Sequence, residues 1–169
     1  MNEYIIIANG PDRTGIVSDI SQILTDNGGN ITKSRMTKLA GDFVIIMLVQ
    51  ITAQKSLIEK KLSNLDLIIS IKNATQVNIK SKKYIQKKLL LNGTDNEGIV
   101  FSVTDFLAKY DINIKNLTTE IQQAPITGIN LFYMEATLNI PQNISIKLLQ
   151  ENVTSLKKNL EIDIELMDI

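Results

Sequence analysis

The sequence reads Asn9-Gly10-Pro11-Asp12-Arg13-Thr14-Gly15-Ile16-Val17 between an apolar run and an amphipathic one. The same pattern returns as Asn92-Gly93-Thr94-Asp95-Asn96-Glu97-Gly98-Ile99-Val100. A spacing of 83 residues keeps the copies in register as far as Asn30-Ile31 on Asn113-Ile114. An internal repeat of this length indicates two related folding units. We therefore predict a first domain at 1–80 and a second at 84–169, each with a loop-to-helix hinge after its first strand.

The first half is predicted to fold as strand, helix, hairpin, helix and strand. The strands are expected at 4–8, 30–39, 43–51 and 66–71, with Ala40-Gly41 as the tight turn of the hairpin. Both helices show apolar residues at helical spacing, and the second is expected over about 54–65. The residues predicted to face inward are Ile16, Ile20, Ile23 and Leu24 in the first helix, and Leu57, Ile58, Leu62 and Leu65 in the second.

The second half repeats this order with local differences. Its first helix carries the same stripe as Ile99, Val103, Phe106 and Leu107. Matching Gly41 to Gly128 needs a shift of 87 residues, which predicts a four-residue insertion at the hairpin tip. Pro141 is expected to open the last helix, because proline is favoured at the first helical position. The polar residues 75–83 are interpreted as the linker between the halves.

The order βαββαβ predicts an α+β fold made of two ferredoxin-like units. Right-handed crossovers place both helices of a unit on one face of a four-stranded antiparallel sheet. Residues 4–8 and 43–51, however, are apolar on both alternating faces, although helices cover only one. The second face therefore needs cover, either from the other half or from a second copy in a homodimer.

Composition excludes several function classes. The chain has 44% apolar and 21% charged residues, as a soluble globular protein has, and no apolar run approaches the roughly 18 residues of a membrane span. We expect a cytoplasmic protein without a signal peptide. The absence of Cys and His removes disulfides, thiolate or imidazole zinc sites and His-based catalytic triads. Since no nucleophile is paired with a base, we expect neither an enzyme nor a cofactor.

Charge argues against direct binding of nucleic acid. Residues 1–82 carry 10 basic and 7 acidic side chains, whereas 83–169 carry 8 and 11. This asymmetry would favour contact between the halves, although a difference of this size also arises by chance. RNA recognition on a βαββαβ sheet needs aromatic side chains, and the central strands here are mainly aliphatic. The Lys-rich segment at 80–88 is interpreted as a solvated linker and strand start.

The repeated hinge is a candidate anion site. The first N–H groups of a helix have no partner within it and lie at the positive end of its dipole, which suits a carboxylate. Arg13 would add a bidentate contact, and Gly15 and Gly98 would allow close approach. The alternative is structural: Asp12 or Thr14 caps the helix and Gly15 fits the packing of helix on sheet.

The pattern Gly-Pro-Asp-Arg-Thr-Gly-Ile-Val in a repeated βαββαβ unit resembles the ACT domain family of small-molecule regulatory modules. Chains made of only two such units resemble most the glycine cleavage system transcriptional repressor group. The resemblance implies an amino acid or similar effector bound between two ACT units, through the hinge and the start of the second strand. It implies contacts from Asn9, Gly10, Asp12, Arg13, Gly15, Ile16, Val17, Asn30 and Ile31, and from Asn92, Gly93, Asp95, Gly98, Ile99, Val100, Asn113 and Ile114.

The second copy departs from the pattern, because Asn96-Glu97 replaces Arg13-Thr14 and puts an anionic ligand there in doubt. The sequence favours a non-catalytic regulator that senses an amino acid and acts in transcriptional control through a protein partner. The alternative is a ligand-independent protein-interaction module that docks a partner on the apolar sheet face or a sheet edge.

Overall fold

The computed structural model describes residues 1–75, 83–125 and 127–169. The chain divides into two compact units, Met1–Asn78 and Ile79–Ile169. Each has the order βαββαβ, which confirms the predicted fold class. Most of the proposed linker, 75–83, lies outside the described residues.

The first unit contains six elements around one sheet. They are β1 (Asn2–Pro11), α1 (Ile16–Thr25), β2 (Gly29–Leu39), β3 (Asp42–Ile51), α2 (Lys55–Ser63) and β4 (Ile68–Asn73). The strand order is β2-β3-β1-β4, and all neighbouring strands are antiparallel. The two central strands are therefore β1 and β3, the most apolar segments of this half.

The second unit repeats this arrangement. Its elements are β5 (Tyr84–Thr94), α3 (Ile99–Lys109), β6 (Asn113–Gln123), β7 (Asn130–Pro141), α4 (Ile146–Leu160) and β8 (Ile162–Asp168). The strand order is β6-β7-β5-β8, again antiparallel throughout. The register of β2 against β3 shifts between Ile31 and Lys33, and that of β6 shifts at the same place, between Ile114 and Asn116. The duplication therefore extends to a local irregularity of the edge strand.

The core of each unit lies between the helices and one face of the sheet. In the first unit every second residue of β1 and β3 is buried, and these side chains pack against Ile16, Ile20 and Leu24 of α1 and Ile58 and Leu62 of α2. In the second unit Ile99, Val103 and Leu107 of α3 occupy the corresponding positions. The helical spacing therefore predicted the buried side of α1 and α3 correctly.

The opposite side of each sheet, here called the outer face, is not covered by the unit's own helices. In the first unit it carries Ile5 opposite Leu48, Ile7 opposite Ile46, and Val44 opposite Asn9. Val44 and Ile46 are 39% and 43% exposed. The second apolar face expected from the sequence is therefore present on this sheet.

The inward side of α2 differs from the prediction at one residue. Ile58 and Leu62 are buried and Leu65 is partly buried, but Leu57 is 43% exposed. The α-helix turns by about 100° per residue, so neighbours such as Leu57 and Ile58 lie on different sides. The helix is also short, with nine residues, and presents only one narrow stripe to the core.

Pro141 does not open a helix, contrary to the prediction. It is the last residue of β7 and pairs with Tyr84, and the next backbone N–H, from Gln142, donates to Lys83 O at 3.3 Å. Helix α4 begins at Ile146, after the N-cap Ser145, whose hydroxyl accepts a hydrogen bond from Leu148 N. Proline is tolerated there because the end of a strand does not require its missing N–H.

The hairpin insertion in the second unit is also larger than predicted. Strand pairing places Phe43 opposite Gly10 and Phe132 opposite Gly93, so these two phenylalanines are equivalent. Two residues join Leu39 to Asp42, whereas eight join the equivalent pair Gln122 and Leu131. The insertion is therefore six residues rather than four, and Gly128 is not the counterpart of Gly41.

Candidate functional site

Both hinges place a glycine in the left-handed region at the start of a helix. Gly15 is the N-cap of α1 with φ +86°, and Gly98 is the N-cap of α3 with φ +83°. Neither helix has a side-chain capping hydrogen bond, and a Cβ on either glycine would meet no atom within 4 Å. Glycine is thus required by the backbone conformation and not by packing, and neither Asp12 nor Thr14 caps α1.

The hinge exposes backbone donors at the start of each helix. The first bond within α1 runs from Asp19 N to Gly15 O at 2.9 Å, and that of α3 runs from Ser102 N to Gly98 O at 2.9 Å. The backbone N–H groups of Val17 and Ser18 lie before this first bond, so they have no acceptor within α1. Because no side chain caps the helix, these donors are available to a carboxylate at the positive end of the helix dipole.

Two ion pairs surround the first hinge. Arg13 Nη2 lies 2.7 Å from Asp19 Oδ2 in the first turn of α1, and Lys38 Nζ lies 2.5 Å from Asp12 Oδ2. The Arg13 side chain is about half exposed, so a ligand can reach its guanidinium. The second hinge has no equivalent of the first pair, because Asn96 stands where the first hinge has Arg13.

The loop before each helix is anchored to the neighbouring hairpin. Asp12 N donates to Gly41 O at 2.9 Å, and Asp95 N donates to Asn130 O at 3.1 Å. Gly10 and Gly93 allow the strand before the helix to pass close to the next edge strand: a Cβ on Gly93 would lie 2.6 Å from Ile162 Cγ2. Gly10 and Gly93 therefore have a packing role, unlike Gly15 and Gly98.

The predicted contact residues of one unit form two separate clusters. The hinge residues lie near Gly10, which pairs with Phe43 at one end of the sheet. Ile31 pairs with Val49, which pairs with Tyr4, and Gly10 lies six residues further along β1. At the rise of a β-strand this separation is about 20 Å. A small ligand that contacts both clusters therefore requires two different units.

Three predicted contact residues are buried, and Gly10 is one of them. Ile16 and Ile99 belong to the cores of their units, so their side chains are not accessible to a ligand. The neighbouring valines Val17 and Val100 are exposed and border the uncapped helix starts. Asn30 and Asn113 are exposed at the other end of each sheet, and Ile31 and Ile114 pack partly against the cores.

A depression beside the second hinge includes residues that the sequence analysis missed. It has a volume of about 470 Å³ and is lined by Asn92, Gly93 and Thr94 together with residues from the end of α4 and the start of β8. Lys157 and Lys158 contribute the positive charge, and Lys157 Nζ lies 3.1 Å from Asp163 Oδ1. The signal in the sequence was a pair of lysines in the last turn of a helix, which alone is common.

The described residues contain no group of three or more acidic side chains arranged to hold a metal ion. None of the helices in the described ranges has the length and apolar character needed to cross a membrane.

Comparison with known proteins identifies the domain type of the first unit. The family model for the ACT domain matches residues 3–72. The glycine cleavage system transcriptional repressor of Escherichia coli (strain K12) is 27% identical, with 81% of this chain and 74% of that protein covered. The crystal structure of an unknown protein from Galdieria sulphuraria is 36% identical, with a TM-score of 0.84 and 99% and 98% of the two chains covered.

A further crystal structure, assigned to the glycine cleavage system transcriptional repressor type, covers 98% of this chain and 95% of its own. Its identity of 24% and TM-score of 0.68 show the shared fold. The family match in the first unit and the repeated fold in the second lead to one assignment. The first unit matches the ACT domain family and the second repeats its fold, so the chain has two ACT-like units and is similar to the glycine cleavage system transcriptional repressor.

Proposed function

We propose that this chain is a non-catalytic regulatory protein that binds a small amino acid between ACT units and acts in transcriptional regulation through a partner protein. The observation that carries the proposal is the uncapped start of α1, with Arg13 beside it. The similarity to a transcriptional repressor of the glycine cleavage system supports the regulatory part.

The chemistry of the hinge suits the carboxylate of an amino acid. The carboxylate would accept hydrogen bonds from the amides of Val17 and Ser18 and a charge-assisted contact from Arg13. Arg13 is held by Asp19, a neighbour in the first turn of α1, so its guanidinium is already positioned near these amides. The ammonium group of the ligand would then need an acceptor, and Asp12 lies next to Arg13 with its carboxylate shared with Lys38.

The second cluster would come from another ACT unit. Asn30 and Ile31 lie about 20 Å from Gly10 along the same sheet, so they serve a ligand at a hinge other than their own. Asn30 offers an amide that both donates and accepts hydrogen bonds, which suits the polar part of an amino acid. We expect the effector to bridge two units, and its binding to strengthen their association.

The two hinges should differ in affinity for an anion. The second has Asn96-Glu97 in place of Arg13-Thr14, which removes the guanidinium and adds a carboxylate near the start of α3. Like charge disfavours binding of a carboxylate there, even though Gly98 leaves the helix equally uncapped. We therefore assign the amino-acid carboxylate to the first hinge.

A thermal-shift screen of the full chain against the twenty amino acids tests this proposal. A ligand at 100 times its dissociation constant stabilises the protein by about 2.7 kcal/mol, which a thermal midpoint readily reports. We expect a shift for a small amino acid that Arg13→Ala abolishes and that Lys55→Ala, a charge removal at the start of α2, preserves. No shift for any amino acid at millimolar concentration, or a shift unaffected by Arg13→Ala, would contradict the proposed site.

A second candidate function is a ligand-independent interaction module. The observation that favours it is the exposed apolar outer face of the first unit, with Val44 and Ile46 at its centre. This candidate predicts a stable complex with a partner protein that neither amino acids nor Arg13→Ala affect.

A further inference from the structure

The outer faces of the two units carry charges of opposite sign. In the first unit Lys33 and Arg35 on β2 and Lys72 on β4 flank the apolar residues of the central strands. They outnumber the two carboxylates of this face, Glu3 and Asp42, so its balance is positive. In the second unit the corresponding face carries carboxylates on three strands. They are Glu120 on β6, Glu135 on β7, and Asp163 and Glu165 on β8.

Strand pairing shows the divergence at equivalent positions. Ile7 of β1 is flanked by Ile46 and Ser70, and its counterpart Leu90 of β5 is flanked by Glu135 and Glu165. On the same face, Lys88 of β5 forms an ion pair with Glu135 at 2.9 Å. No ion pair joins Glu120 or Glu165 to a cation within the described ranges, and both are exposed.

Each outer face also carries a shallow groove. The groove of the first unit, about 270 Å³, is lined by apolar residues such as Ile5, Ile46 and Leu48, with Lys33 and Arg35 at its edge. The groove of the second unit, about 570 Å³, is lined by Leu90 and Tyr133 together with Glu120 and Glu135. A partly apolar surface with a charged margin is typical of a protein interface.

We propose that the outer face of the first unit docks on the outer face of the second unit of another copy of this chain. Contact between two first-unit faces would oppose lysines, and contact between two second-unit faces would oppose carboxylates. A first-unit face that docks on a second-unit face instead brings basic residues against acidic ones and buries apolar residues of both sheets. A dimer with two-fold symmetry makes this contact twice, so all four outer faces are covered and the assembly is closed.

This inference goes beyond the proposed function, because it concerns the outer faces and leaves both hinges unchanged. Charge-reversal variants distinguish this dimer from dimers in which two like faces are in contact. The first variant, Lys33→Glu with Lys72→Glu, makes both outer faces acidic, and the second, Glu120→Lys with Glu165→Lys, makes both basic. The control, Lys55→Glu with Lys60→Glu, makes the same change in net charge as the first variant, on exposed positions of α2.

Sedimentation equilibrium of the full chain measures the outcome. We expect a wild-type dimer, a dimer dissociation constant at least about tenfold higher for each reversed variant alone, and no change for the control. An equimolar mixture of the two reversed variants should restore a dimer, because each acidic face then meets a basic one. Circular dichroism establishes that each variant is folded.

Three results would overturn the proposal. A wild-type chain that stays monomeric up to about 100 µM would exclude a second copy as the occupant, since specific dimers form well below that concentration. A second variant that dimerises as the wild type does would indicate contact between two first-unit faces. A mixture that stays monomeric would exclude pairing of unlike faces.

Discussion

Asp19 holds the guanidinium of Arg13 at the start of α1, with 2.7 Å between Nη2 and Oδ2. The pair positions Arg13 near the uncapped helix, but the Asp19 carboxylate also competes with any anionic ligand for the same cation. We expect Asp19→Asn to raise the affinity for the amino-acid effector by about two- to fivefold, in line with the small free energy of an exposed ion pair. Isothermal titration calorimetry of the full chain checks this.

Asp19→Ala serves as the control, because it removes the competing charge without leaving a hydrogen-bonding amide. A fall in affinity with both substitutions would contradict the competition and would mean that the positioning of Arg13 by Asp19 matters more for binding.

The left-handed conformation of Gly15 predicts the effect of side chains at the hinge. Its φ is +86° and a Cβ would meet no atom, so Gly15→Ala should cost only the conformational penalty, about 1–2 kcal/mol. Gly15→Asn should cost less, because asparagine adopts this conformation more readily. Urea unfolding measures both, and Gly98 offers the same comparison at φ +83°. Equal losses for Ala and Asn would show that the penalty is not conformational.

At Gly10 and Gly93, which precede the hinges, the size of an added side chain should determine the loss of stability. A Cβ on Gly93 would lie 2.6 Å from Ile162 Cγ2 and 3.0 Å from the branched Ile162 Cβ, which cannot rotate away. A Cβ on Gly10 would meet the side-chain end Leu67 Cδ2 at 2.9 Å and Asp66 O at 3.3 Å. Overpacking of this kind costs about 1–3 kcal/mol, so we expect Gly93→Ala to destabilise more than Gly10→Ala. Thermal unfolding of the full chain compares them.

Combining Gly93→Ala with Ile162→Ala should cost less than the sum of the two single losses, because Ile162→Ala removes the methyl group closest to the added Cβ. Additive losses in the double variant would contradict the steric explanation.

The orientation of α2 gives a matched pair of leucines. Leu62 is fully buried, whereas Leu57, which sequence spacing assigned to the core, is 43% exposed. We expect Leu62→Ala to lower the free energy of unfolding by about 2–5 kcal/mol through a core cavity, and Leu57→Ala by well under half as much. Urea unfolding at matched protein concentration distinguishes them. Similar losses would place Leu57 in a contact outside its own unit.

The fold was predictable because two signals agreed in both halves. Each helix that follows a hinge carries apolar residues at i, i+4 and i+8, as Ile16, Ile20 and Leu24 show, and each is preceded by a β-branched or Leu-rich strand. Because the pattern occurs twice, each predicted element could be checked in the other half of the chain. Hydrophobic periodicity and turn residues were sufficient to predict the order of helices and strands. That order is compatible with few sheet topologies.

The errors arose where local preference was overridden by pairing. Pro141 has the character of a first helical residue, but Tyr84 opposite it extends the sheet to that point, and the real cap, Ser145, lies four residues later. The insertion in the second hairpin was underestimated because a glycine match set the alignment, whereas strand register equates Phe43 with Phe132.

The candidate site was predictable only in part. The hinge residues are adjacent in sequence, so their proximity followed from the motif itself. The distance between the hinge and Asn30 at the opposite end of the sheet depends on strand register, which no local pattern reports. The contribution of Lys157 beside the second hinge likewise depends on how the end of α4 lies against β8, where Lys157 pairs with Asp163.

The central place of β1 has a consequence for the synthesis of the chain. This strand leaves the ribosome before its neighbours β3 and β4, which end only at Ile51 and Asn73. Both edges of this apolar strand are unpaired until β3 has been made, and one edge until β4 has been made, a state that favours aggregation or capture by a chaperone. Once Asn73 has emerged the first unit can close its sheet, before the equivalent strands of the second unit have been made. The duplicated architecture therefore limits this exposure to about 70 residues of synthesis for each unit.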